Sequence, residues 1–177
     1  MYKLYSSIFM IILTFIIIFF ISKKYDLDRN QKLIFWLFVL FWSGITVVRA
    51  YRKLYAISPM EEGGLGFSVI LAAQITSAYG LISCFIRLPI FILSDIFNRK
   101  KIFIQIALFV LTLASLIVVL KPSYNTLYFS SIAMGICASM LAVFNVLFSE
   151  TFSKEKAAIS ASILSIAPLL AEFIAAH

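Results

Sequence analysis

Five short polar breaks divide this chain of 177 residues into six apolar runs, each close to or above the length needed to cross a bilayer. The runs cover roughly 4–22, 33–58, 67–94, 102–120, 126–149 and 157–177. A hydrocarbon core of ~30 Å takes roughly 20 apolar residues as a helix. Lipid offers no hydrogen bonds to the backbone, so only helices and closed barrels span it. The alternating strands of a membrane barrel, about ten residues each, are not in the sequence. The connections run from Ser22 to Lys32, Pro59 to Gly66, Asp95 to Lys101, Lys121 to Asn125 and Glu150 to Lys156. Connections this short make successive helices antiparallel neighbours. The expectation is an all-α membrane protein, a polytopic bundle of about six transmembrane helices. Composition agrees: 63% of residues are hydrophobic and 13% charged, where a soluble domain is about half apolar and about a quarter charged.

The net charge of +7 is distributed by loop. Lys23, Lys24, Arg29, Lys32, Arg99, Lys100, Lys101, Lys154 and Lys156 fall in alternate connections, against Lys3 and Lys121 on the other side. Lysine and arginine collect on the cytoplasmic side of membrane proteins. The pattern puts 23–32, 95–101 and 150–156 in the cytoplasm, and the N-terminus and His177 outside, as expected of a multi-pass protein of the cell membrane. The charge therefore sets topology and does not indicate nucleic acid. Residues 4–22, preceded by Lys3, also have the outline of a secretory signal. The run ends in Ser22-Lys23-Lys24 with no small-residue cleavage site, which favours a retained helix.

Catalytic chemistry has little to work with. The single histidine is His177, and Cys84 and Cys137 both lie in apolar runs without a CxxC pattern or disulfide framework. No nucleophile–base pair, metal cluster or glycine-rich phosphate loop is present. The expectation is no enzyme, no cofactor and no metal.

The break after the third apolar run carries Phe91-Ile92-Leu93-Ser94-Asp95-Ile96-Phe97-Asn98-Arg99-Lys100-Lys101. It resembles the loop between the second and third helices of the major facilitator superfamily, Gly-x-Leu-x-Asp-Arg-x-Gly-Arg-Arg/Lys-Lys. Leu93, Asp95, Arg99, Lys100 and Lys101 match; Phe91, Ile96 and Asn98 stand where the pattern has Gly, Arg and Gly. Asn tolerates a left-handed turn, whereas Phe91 removes the close helix approach that Gly would permit. Leu65-Gly66-Phe67 through Gln74, Ser77, Tyr79, Gly80 and Arg87-Leu88-Pro89 resembles that family's second helix. Ser149 to Ala157 resembles the loop after its fourth, and Ile166-Ala167-Pro168-Leu169-Leu170-Ala171 resembles the Gly-Pro motif of its fifth helix in antiporters. The fourth helix lacks the basic residue often found there. The resemblance covers 33–177, five helices of an incomplete N-terminal half, and leaves 1–32 as an extra helix with its loop.

The resemblance implies a role for the loop. Asp95 takes the position of a latch that pairs with nearby Arg and with the positive end of a helix from the second half. Arg99, Lys100 and Lys101 are expected at anionic headgroups. The plainer expectation is a solvated turn that sets topology.

Charges inside spans are costly and usually face a bundle interior or a watery cavity. Arg87 stands seven residues before Ser94, roughly 10 Å from that helix end, where it can snorkel or touch solute. Arg49 and Arg52 are three residues apart and share a helix face, with Lys53 following. They fall at the end expected to lie outside, against the charge trend, and two guanidiniums suit a phosphate or carboxylate. An Arg in the first family helix with a basic residue in the second also resembles organophosphate–phosphate antiporters. Glu172, four residues after Pro168, reads as an interfacial carboxylate. Trp36, Trp42, Tyr124 and Tyr128 read as interfacial or lipid-facing.

Two functions fit. One is a secondary active transporter of small solutes, an anionic one if Arg49, Arg52 and Arg87 bind it, present as a truncated or partial chain. The other is a membrane scaffold or subunit that associates with another membrane protein without transporting by itself. The expected partners are the lipid bilayer, a small solute, and the missing transporter half or an oligomeric partner. Alone, the chain is expected not to transport.

Overall fold

The computed structural model describes residues 2–175, with side chains for residue 5 and residues 8–173. The side chain of Lys3 and the whole of His177 lie outside this description. The helices are α1 (Tyr2–Lys24), α2 (Arg29–Ile57), α3 (Val69–Ile96), α4 (Lys100–Leu120), α5 (Tyr124–Ser139), α6 (Leu141–Ser149) and α7 (Ala157–Ala175). Short 3-10 turns at Met60–Glu62 and Lys154–Lys156 interrupt the connections. Among the described residues, five stretches are long and apolar enough to cross a membrane: Arg29–Ile57, Val69–Ile96, Lys100–Leu120, Tyr124–Ser149 and Lys154–Phe173. The 23-residue α1 is a further, largely apolar helix. The chain is thus an all-α, multi-pass membrane protein.

Helix ends follow side-chain capping more than hydropathy. The connection expected over 23–32 shrinks to residues 25–28, because Asp28 and Gln31 cap each other's backbone N–H, at 2.7 and 2.9 Å. This reciprocal box starts α2 before the apolar run and places Arg29 and Lys32 on its first turns. Ser68 caps α3, and Ser123 with Thr126 forms a full capping box at α5. The run expected as one helix over 126–149 breaks at Met140. There the backbone N–H bonds Cys137 O at 3.0 Å in place of a regular helical partner. Just before it, the Ser139 hydroxyl donates to Gly135 O at 2.9 Å, a back-bond that bends helices.

The chain divides into two compact units, residues 1–47 with 145–177 and residues 48–144. In the first, α1 packs on α7. Its core holds Ile18, Phe35, Phe38, Phe148, Ile163 and Ala167. Gln31 fastens the start of α2 to the α6–α7 connection by donating to Thr151 O at 3.0 Å.

In the second unit, α5 packs against both α3 and α4. Gly135 makes the α3–α5 contact possible: a Cβ there would stand 2.8 Å from Tyr79 O and 3.0 Å from Ile82 Cβ. Cys137 donates from Sγ to Ala107 O of α4 at 2.9 Å. The connection after α2 folds back on that helix, with Leu65, Gly66 and Phe67 N–H groups bonding Tyr55, Ser58 and Ala56 carbonyls. Otherwise-orphaned carbonyls at the end of α2 are thereby satisfied. Ala56, Ala72, Ile75 and Leu127 form a small core beside this connection.

Candidate functional site

The Asp95 loop is a tight turn between two long helices. Asn98 has φ 48°, in the left-handed region, which fits its place opposite a family Gly. Its N–H bonds Asp95 O at 3.0 Å. Lys100 is the first residue of α4, and its side chain is only 8% exposed. Lys100 Nζ lies 3.1 Å from Asp95 Oδ1, while the Asp95 side chain is 49% exposed. The expectation of a lysine reaching outward to headgroups is corrected here. A cation at a helix N-terminus meets the positive end of the dipole, and folding back onto Asp95 offsets that. Arg99 and Lys101 remain exposed.

Arg87 is exposed on α3, and its Nη2 donates to Ser83 Oγ one turn earlier, at 3.3 Å. Arg49 is half-buried on α2. Arg52 differs from both. It is buried, at 9% exposure, and reaches from α2 to α5. There Nη1 donates to Ser131 Oγ at 2.5 Å and Nη2 to Ser130 Oγ at 2.9 Å. No carboxylate is among its partners in the described residues.

Depth separates these arginines. Arg52 stands five residues before the end of α2, roughly 8 Å inside it. Arg87 stands near the opposite end of its unit, since α3 returns the chain. The structure therefore does not gather Arg52 and Arg87 into one cluster. Ser130 and Ser131 escaped the sequence reading. Two adjacent hydroxyls, six and seven residues inside an apolar span, were the available signal; their separation of 78 and 79 residues from Arg52 hid the pairing.

Next to this site Tyr124 Oη donates to Gln74 Oε1 at 3.1 Å. Tyr124 stacks on Tyr128 with ring centroids 5.9 Å apart. Both tyrosines are half-buried, so they are packed residues as well as interfacial ones.

Residues 50–176 match the family model of the Major Facilitator Superfamily. The match takes in Arg52, Arg87 and the whole Asp95 loop, and begins after Arg49 and α1. It supports the superfamily and not the organophosphate–phosphate antiporter subgroup. No curated protein and no solved structure matches the chain. The matched stretch runs from the last turns of α2 through α7. The chain belongs to the Major Facilitator Superfamily.

Proposed function

We propose that the chain forms part of a secondary active transporter of small solutes, and that Arg52 receives an anionic group of the solute. The supporting observation is the buried guanidinium, which has two serine hydroxyls and no carboxylate as its partners in the described residues. A charge at membrane depth is costly unless it is paired. Hydroxyls satisfy N–H groups but supply no countercharge. A carboxylate or phosphate would supply both, in the two-pronged geometry guanidinium favours. Arg49 one turn earlier and Arg87 towards the other end are secondary contacts in the same proposal. The lysine-rich connections face the cytoplasm, with the N-terminus outside. Asp95, Arg99, Lys100 and Lys101 form the conformational latch, in which the Asp95–Lys100 pair gives way to a helix of the second half. Helices beyond the family's first five complete the translocation path, from a longer chain or from a partner.

Binding of anionic against neutral metabolites to the purified chain tests this. Arg52→Ala is expected to weaken anion binding by about tenfold, the loss of one charge-assisted contact, with smaller losses for Arg49→Ala and Arg87→Ala. Neutral ligands should bind equally to all variants. Unchanged anion binding in all three variants would remove the proposal and favour a membrane subunit without transport of its own. Liposomes holding this 177-residue chain alone are expected to show no uptake.

A further inference from the structure

At the lysine-rich end of the first unit, a cavity of about 400 Å³ opens between α1 and α2. Phe19, Ser22, Lys23, Asp26, Lys32 and Trp36 line it. Its chemistry is graded along the helices. Asp26 sits in the turn after α1, and Lys32 is the fourth residue of α2. Phe19 and Trp36 lie deeper, five residues before the end of α1 and seven beyond the start of α2. That is roughly 8 to 10 Å into the apolar layer at helical rise. One turn before Phe19, Phe15 packs against Trp36, ring centroids 4.9 Å apart. Phe19 is 71% exposed, so the apolar side of the cleft is open to acyl chains. Neither Lys23 nor Lys32 is paired with a carboxylate among the described residues.

We propose that this cleft binds the phosphate of an anionic phospholipid. Lys23 and Lys32 hold the phosphodiester, Ser22 and Asp26 face the polar headgroup, and the acyl chains run along Phe19 and Trp36. Two lysines and one aspartate leave a local charge of one positive unit, matched to a phosphodiester with one negative charge. Free phosphate has nothing to place against the two aromatic rings, and that separates it from a lipid at this site. An aspartate carboxylate can accept from the hydroxyls of a glycerol headgroup. The site lies ahead of the family match, in the helix pair where α1 joins the fold.

The chain holds two tryptophans, Trp36 and Trp42, so a Trp42→Phe background makes Trp36 a reporter at the cleft. In mixed vesicles, brominated phosphatidylglycerol is expected to quench Trp36 at about five- to tenfold lower mole fraction than brominated phosphatidylcholine. This follows from one net cation close to an anionic lipid. Lys23→Gln with Lys32→Gln should erase the preference. Lys154→Gln with Lys156→Gln, which removes equal charge from exposed lysines outside the cleft, should leave it intact. Millimolar inorganic phosphate should not relieve the quenching. Equal quenching by both lipids overturns the proposal, as does an equal loss in the control pair, which would mark a general surface-charge effect. Relief by free phosphate overturns the lipid as occupant. The assay reads folded protein directly, because Trp36 emission in unbrominated vesicles reports whether each variant keeps its structure.

Discussion

Helices α4 and α5 both belong to the unit 48–144, yet they solve opposite problems. Beyond its two leading lysines, α4 is mostly large and aliphatic or aromatic, and only 11% of an 18-residue apolar stretch within it is buried. The α5 segment is rich in Ser, Ala, Gly and Cys, and 61% of an 18-residue apolar stretch in the span it opens is buried. In water the more apolar helix would go inside. In lipid there is no hydrophobic drive between helices, and small residues that allow close backbone approach, with polar groups that bond across, select the interior. Gly135 against Tyr79 and Ile82, Cys137 against Ala107, and Ser139 against Ser83 O at 3.3 Å are these contacts.

Enlarging a small residue on α5 should break the contrast most severely. Gly135→Leu places atoms where even a Cβ would meet a backbone oxygen at 2.8 Å. Overpacking of this kind costs about 3 kcal/mol, measured as unfolding free energy in a detergent titration. A stability unchanged by this variant would mean that α3 and α5 do not depend on close approach.

Arg52→Met sharpens the comparison from the polar side. Exchanging a buried, uncompensated cation for an apolar side chain should raise unfolding free energy by about 1 kcal/mol, while anion binding falls. A marked loss of stability instead would make Arg52 a strut between α2 and α5 and leave its binding role without support.

The smallest effect sets the two helices side by side. Ser139→Ala removes bonds to Ser83 O and Gly135 O and should cost about 0.6 kcal/mol, the average for such bonds in membranes. Leu113→Ala, on the exposed face of α4, should cost less than that, because lipid replaces what the side chain loses. If Leu113→Ala proves the costlier change in the same titration, α4 is covered by something other than lipid.

Much of this was legible beforehand. The spans, the short connections and the Asp95 turn rest on local properties: run length, charge position and the tolerance of Asn98 for a left-handed backbone. Boundaries were less legible where side chains cap. Asp28 and Gln31 extended α2 backwards across a stretch that hydropathy assigns to a loop, and the back-bond of Ser139 precedes the break at Met140. Lys100 was misplaced because a basic residue in a membrane loop reads as headgroup-facing, and nothing local says that Asp95 will draw it in.

For the site the division is sharper. Arg49, Arg52 and Arg87 were equal candidates as charges in apolar runs, since a linear pattern gives each the same penalty. Only packing distinguishes them. It buries Arg52 against two serines from a distant helix, leaves Arg87 on its own helix surface, and holds Arg49 between. Sequence alone therefore determined that this is a helical membrane protein, and how its charged loops alternate, because lipid imposes those constraints residue by residue. Which cation is enclosed, and which helix is shielded from lipid, was decided by tertiary structure. Those outcomes depend on close approach between residues far apart in the chain.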